Sequence, residues 1–161
     1  MVEVKAQGVT IHPASEIDAS ILAPRLREDD VIELEALGFQ PERAILMSVK
    51  LSTKAWSGFV DGKLVCMWGV GPRCWLSDVG VVWLLGSDDL VANQRAFLRR
   101  NKLFIEDMRK GFSRLEYYVD ERNHISKRWL KWLGFRIYDA EPYGLYRERF
   151  HRFDMEGLPC V

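Results

Sequence analysis

Cysteine is scarce in this sequence, and none of it is arranged for chemistry. Cys66, Cys74 and Cys160 form no C-x-x-C pair and stand apart from the scattered histidines His12, His124 and His151. A metal centre needs three or four converging ligands, so neither that nor a disulfide framework is expected, and a reducing compartment is. Charge of one sign is lacking too. Lys plus Arg and Asp plus Glu both number 23 in 161 residues, which leaves zero net charge and no basic excess of the kind a generic nucleic-acid binder carries. The N-terminal stretch MVEVKAQGVTIHPASEID has no basic-then-apolar leader pattern, and no apolar run approaches membrane-spanning length. Internal repeats, low-complexity runs and linkers are missing as well. The expectation is one soluble α+β domain over 1–161, with an irregular apolar tail over 154–161. What is plentiful is aromatic: six Trp and eight Phe, read first as core anchors and second as a sticky interface.

The elements follow from periodicity and punctuation. Val9-Thr10-Ile11 is a short strand, and Ser15-Glu16-Ile17-Asp18 opens a helix with acids in its first turn. Helical segments follow at Ile17–Leu22 and Glu28–Leu37, separated by Pro24 and closed by Gly38. Pro41 opens a third helix that runs to about Lys50. Asp61-Gly62 between Ala55–Val60 and Lys63–Val70 predicts a type I′ hairpin, whose two central residues need positive φ. Val79–Leu85 is a nearly continuous apolar run, expected to be a central strand buried on both faces. Leu90–Gly111 turns helical, with Phe97, Phe104, Ile105 and Met108 as its core stripe and Arg95, Arg99, Lys102, Glu106 and Arg109 as its solvated one. Strands at Phe135–Asp139 and Tyr146–Phe153, broken by Pro142-Tyr143-Gly144, complete the chain.

The stretch LEYYVDERNHISKRWLKWLGF, residues 115–135, carries the most information. Leu115, Tyr117 and Val119 alternate with Glu116, Tyr118 and Asp120, which predicts a strand. Asn123 is placed to cap a short helix, Ile125, Trp129, Trp132 and Leu133 share its apolar face, and Gly134 supplies the left-handed residue that ends it. Strand, asparagine, short helix and Gly-Phe in this order resemble the C-terminal half of the GNAT acyltransferase fold, and the element order of the whole chain agrees. Within that fold, GPRCWLSDVGVVWLL, a long basic-rich helix and RLEYYVDERNHISKRWLKWLGF resemble the small GNAT-like internal virion proteins of short-tailed phages.

The resemblance implies a site that can be checked residue by residue. Active members hold the acyl-CoA pyrophosphate on backbone amides between the central strand and the long helix, in a Gln/Arg-x-x-Gly-x-Gly/Ala loop. The segment here, Gly86-Ser87-Asp88-Asp89-Leu90-Val91-Ala92-Asn93-Gln94, has one glycine at its start, and it puts Asp88 and Asp89 at a helix N-terminus, where carboxylates repel an anion. Arg95, Arg99 and Arg100 lie two to three turns into the helix, too far to replace the amides. The family's general acid is a tyrosine seven residues after the asparagine, and that position is Leu130. Asp78, Glu116 and Asp120 are the carboxylates near the central strands and read as strand-end or solvent-face charges. Tyr117, Tyr118, Tyr138 and Tyr143 read as packing residues, and the histidines as structural.

No catalytic residue is therefore assigned. If acyl-CoA binds at all, Val82, Leu84, Gly86 and Asn123 would hold it. The reading that follows is a catalytically inactive phage virion or assembly protein. It would need no cofactor and would contact other virion proteins, as an oligomer within the particle, in the virion or the host cytoplasm. The alternative is an active acetyl-CoA-dependent N-acetyltransferase. A weaker third idea is a nucleic-acid module built on Arg95, Arg99, Lys102 and the Lys127–Arg128–Lys131 cluster.

Overall fold

The computed structural model describes residues 8–160. Residues 1–7, part of the stretch read for a leader, and Val161 lie outside the described residues. The described chain forms β1 (Val9–Pro13), α1 (Glu16–Leu22), α2 (Glu28–Ala36), α3 (Pro41–Leu51), β2 (Lys54–Val60), β3 (Lys63–Pro72), β4 (Val79–Gly86), α4 (Asp88–Ala92), α5 (Gln94–Arg109), β5 (Arg114–Asp120), α6 (His124–Leu133), β6 (Arg136–Tyr143) and β7 (Glu148–Glu156). The strands make one sheet in the order β1-β2-β3-β4-β5-β7-β6. All pairings are antiparallel except that of β4 with β5.

Local chemistry accounts for the turns and caps. Asp61 and Gly62 sit at φ 47° and 80°, the positive values the β2–β3 hairpin demands. Ser15 and Asp18 cap α1 reciprocally, each side chain taking the other's backbone N–H. Asn123 caps α6 through the Ser126 N–H, and Gly134 ends it at φ 99°. Two apolar layers then cover the sheet. Leu22, Ile45, Met67 and Leu85 pack under α1 and α3, while Trp68, Val82, Phe97, Ile105, Trp129 and Phe153 pack under α5 and α6.

Several expectations need correction. β4 is not fully buried: Val79, Val81, Trp83 and Leu84 are only half-buried, and the last three border a cavity. The helix expected from Leu90 onward is two helices, since Asn93 leaves helical geometry at φ −111°, ψ 15° and its side-chain amide bonds the Asp89 carbonyl at 2.9 Å. Trp132 is exposed rather than packed with Trp129; three residues on, it falls at the edge of the buried face, with Lys102 Nζ 4.2 Å from its ring centroid. The irregular tail begins later than residue 154. β7 runs to Glu156, and Leu158 is tied down beyond it by a bond from the Gly111 N–H to its carbonyl at 2.9 Å.

Candidate functional site

β4 and β5 pair over three rungs only, Val79↔Arg114, Gly80↔Leu115 and Val81↔Glu116. Beyond them the strands part, although β5 stays paired to β7 as far as Asp120↔Phe150. Residues Val82–Gly86 and Tyr117–Asp120 therefore face one another across a gap with unpaired backbone on both sides, and buried backbone polar groups need partners. At the far end of the gap, α2 supplies them.

Arg27, Asp30 and Glu33 are spaced by three, so they share one face of α2, with Arg27 as its N-cap. Asp30 Oδ2 accepts the Gly86 N–H at 2.9 Å, and the Arg27 N–H donates to the Gly86 carbonyl at 2.8 Å. The Arg27 guanidinium bridges Asp30 Oδ1 at 2.7 Å and Ser126 Oγ at 2.6 Å, and lies 4.9 Å from the Trp129 ring centroid. Glu33 Oε2 accepts the Asp120 N–H at 3.1 Å and the Asn123 side-chain amide at 3.0 Å. Burial pulls the Arg27 pKa down, but Asp30 more than offsets it and keeps the group charged. Burial pushes the Asp30 carboxyl up, opposed by Arg27 and the Gly86 amide. Burial likewise raises Glu33 to about 7, against its bonds from Asn123 and Asp120. Sequence reading missed all three residues. The available signal was a charged stripe at three-residue spacing on a helix that has to meet the sheet.

The structure places the residues expected to hold acyl-CoA as follows. Backbone direction alternates along a strand, so Val82, Leu84 and Gly86 share the edge that faces β5. Val82 is next to the last rung, Leu84 opens on the gap, and both backbone groups of Gly86 are taken by α2. Asn123 is buried and divided between capping α6 and bonding Glu33. Gly86 is explained by packing, since a Cβ there would lie 2.6 Å from Leu90 Cδ2. Asp89 is held below the usual carboxylate range, first by its bond from Lys63 at 2.9 Å and also by Arg25. A pyrophosphate therefore finds no free glycine cradle at Gly86–Gln94, and these residues do not fit that group.

The other candidates are distributed as follows. Leu130 is half-buried on the cavity wall, as is Tyr117, which burial pushes up to about 12. Tyr118 stacks on Tyr143 with centroids 3.5 Å apart, and the Tyr138 hydroxyl donates to Asp154. Asp78 is exposed, as expected. Glu116 and Asp120 are not solvent-face charges. Both are buried under arginines, Glu116 by Arg73 of the β3–β4 connection, Arg114 of its own strand and Arg152 of β7, and Asp120 by Arg122 of the turn that follows it. His151 Nδ1 lies 2.7 Å from the Tyr138 carbonyl, His12 packs on Phe59, and His124 is exposed. Burial pushes the Cys66 thiol up, and Cys74 and Cys160 are exposed. Among the described residues no cluster of His, Cys, Asp or Glu is placed to hold a metal, and no helix is long and apolar enough to cross a membrane. Arg95, Arg99 and Lys102 lie on the exposed side of α5. In the α6 cluster, Lys127 is tied to the Glu121 carbonyl at 2.7 Å.

The rest of the gap is open. A cavity of about 880 Å³ runs through it, walled by Val81–Leu85 of β4, Tyr117–Val119 of β5, Leu34 of α2 and its C-cap Leu37, and Trp129, Leu130 and Leu133 of α6. Its exposed wall residues, Gly38, Phe39, Gln40, Arg43, Met47, Leu51, Pro72 and Arg73, run from the start of α3 along its length to the end of β3. That volume is in the range of small-molecule sites.

No protein-family model matches the sequence, and no curated protein does. Solved structures do resemble it. An acetyltransferase of the GNAT family from Streptococcus pneumoniae superposes with a TM-score of 0.61 at 13% identity, over 92% of this chain and 98% of its own. The ribosomal-protein-S18-alanine N-acetyltransferase of Escherichia coli gives 0.63 at 16% identity, over 95% and 96%. The yncA protein of Salmonella typhimurium, solved with its cofactor acetyl-CoA, gives 0.63 at 12% identity, over 92% and 94%. The chain has the GNAT fold, a single mixed sheet flanked by helices. Identity this low carries the fold and leaves the activity to be argued from the site.

Proposed function

We propose that this GNAT-fold protein does not transfer acyl groups from CoA and acts through protein contacts, as a structural or assembly component of a short-tailed phage particle. One observation carries the loss of chemistry: the Asp30 carboxylate occupies the Gly86 amide, with Arg27 locked across the same end of the gap. An anion arriving there would have to displace a buried carboxylate that is already hydrogen-bonded. Asp88 and Asp89 after Gly86, and Leu130 where a proton donor would stand, support the same reading.

Support for a role in contacts comes from the β3–β4 connection, the part of the virion-protein resemblance that contains the CW pair. The Ser77 N–H bonds the Cys74 carbonyl at 2.9 Å, the Arg73 N–H bonds the Val79 carbonyl at 2.9 Å, and the Ser113 N–H bonds the Asp78 carbonyl at 2.8 Å. This stapled turn holds Trp75 90% exposed and Leu76 83% exposed. Tryptophan is among the residues most enriched in interface anchors. The test has two arms. Quantitative mass spectrometry of purified particles should find the protein at fixed stoichiometry, and the isolated protein should show no turnover of acetyl-CoA with a panel of amines. Absence from the particle together with turnover overturns the proposal.

The second reading, an acetyl-CoA-dependent N-acetyltransferase, is favoured by one specific observation. The open cavity carries Glu33 on its wall, with a pKa of about 7 that suits a general base. Under that reading Glu33→Gln abolishes turnover while the fold persists.

A further inference from the structure

We propose that the groove between α6 and the β6–β7 pair is an anion site that takes phosphates in series, the chemistry shared by a free polyphosphate and a nucleic-acid backbone. His124, Lys127, Arg128 and Lys131 recur at three- and four-residue spacing, so they share one stripe of α6. They line a concavity of about 630 Å³ whose other wall includes Tyr138 of β6 and His151 of β7. Asp139 is the one acid among its lining residues, and no acid stands between Glu121 and Asp139 in the chain. The acids just before the stripe, Asp120 and Glu121, are paired to Arg122 and Arg149. Arg128 and Lys131 are exposed and make no ion pair among the described residues. The fold thus turns the basic cluster of α6 into one wall of a site, and Arg95, Arg99 and Lys102 of α5 are not part of it.

Two of the basic groups are held in place. Lys127 is half-buried, and its ammonium donates to the Glu121 carbonyl at 2.7 Å, which leaves further hydrogens for a ligand. His151 is half-buried, with Nδ1 2.7 Å from the Tyr138 carbonyl. A carbonyl only accepts, so Nδ1 carries a hydrogen and Nε2 can take one from a phosphate hydroxyl. A lone exposed cation stays hydrated, whereas several around one concavity sum their fields and favour a polyanion. From His124 to Lys131 the stripe runs about 10 Å at the helical rise. At one charge per about 3.4 Å of a nucleic-acid strand, that length faces about three phosphates. The other side of α6, with Trp129, Leu130 and Leu133, walls the β4–β5 cavity. The groove is therefore a separate surface, and its failure to bind would leave the proposed loss of CoA chemistry untouched.

The test is fluorescence anisotropy of a labelled oligothymidylate of about twelve nucleotides with the full chain, joined by calorimetric titration with tripolyphosphate and with inorganic phosphate. At about 50 mM salt the oligonucleotide should bind with a Kd of roughly 10 to 100 μM, and log K should fall against log salt with a slope of about −2, the value for about three phosphates of a single strand. Inorganic phosphate should bind at least about tenfold more weakly than tripolyphosphate. Arg128→Gln with Lys131→Gln, both surface changes, should weaken the oligonucleotide about tenfold and bring the slope to about −0.7. Arg43→Gln, which removes an exposed cation from α3, should change neither. Tripolyphosphate that the oligonucleotide displaces makes the groove a backbone site, and tripolyphosphate bound without the oligonucleotide makes it a site for free polyphosphate. Binding of neither ligand overturns the proposal. So does a loss in the α6 double variant no greater than in Arg43→Gln, or inorganic phosphate bound as tightly as tripolyphosphate.

Discussion

The two ends of the β4–β5 gap are built from opposite materials. At the Gly86 end, the strand's backbone groups are satisfied by the Asp30 carboxylate and the Arg27 backbone N–H, and the Arg27–Asp30 ion pair fills the space. At the Gly80 end the two strands are still paired to each other, Val79–Val81 with Arg114–Glu116, and between the two ends the gap widens into a cavity of about 880 Å³ with largely apolar walls. A fold whose strands part must do something with the unpaired edge, and here α2 takes it up at Gly86 while the stretch before it borders open space. The fold thus persists without the phosphate cradle that the family resemblance associates with its chemistry.

The largest effect should come from breaking the closed end. Arg27→Met leaves Asp30 buried without its partner and should cost about 3 to 5 kcal/mol in denaturant unfolding. Arg27→Met with Asp30→Asn should recover much of that loss, because the uncompensated charge goes too. A single-mutant cost under about 1 kcal/mol would mean that the pair does not hold the end shut.

The next effect is pH-dependent. Glu33 is raised from an ordinary 4.5 to about 7 in the fold, so the native state holds its proton more tightly than the unfolded state. Its contribution to stability is complete below pH 4.5 and lost as pH rises through about 7. That change amounts to at most about 3 kcal/mol. Glu33→Gln should flatten the slope, read by denaturant midpoints across this window; an unchanged slope would place its origin elsewhere. Asn123→Ala removes both the α6 cap and a donor to Glu33, and should cost about 1 to 2 kcal/mol. Trp75→Ala should leave stability within about 0.5 kcal/mol, since the exposed ring packs on nothing that holds the fold.

Much of the fold was legible because its signals are local. Asp61-Gly62, the Ser15 cap and the Asn123-to-Gly134 helix each announce themselves within a few residues, and each forms as expected. The closed end was not legible, because its contacts are remote: Asp30 meets Gly86 56 residues on, and Glu33 meets Asn123 90 residues on. Read locally, Arg27, Asp30 and Glu33 are ordinary helix charges. Glu116 and Asp120 misled for a related reason. Alternation assigns them correctly to the second face of β5, but arginines cover that face. Asn93 broke a long helical pattern because a side-chain amide that can bond the Asp89 carbonyl gives the backbone an alternative to continuing.

The most direct measurement is the Gly86 amide in a ¹⁵N-labelled sample, followed by hydrogen exchange and by its chemical shift as CoA is added. The Asp30 bond predicts an amide protected from exchange, and no movement of the Gly86 or Asp88–Ala92 signals up to millimolar CoA. Saturable shifts of those amides at micromolar CoA, or fast exchange at Gly86 in the free protein, would contradict the closed end and return the chain to acyl-CoA chemistry.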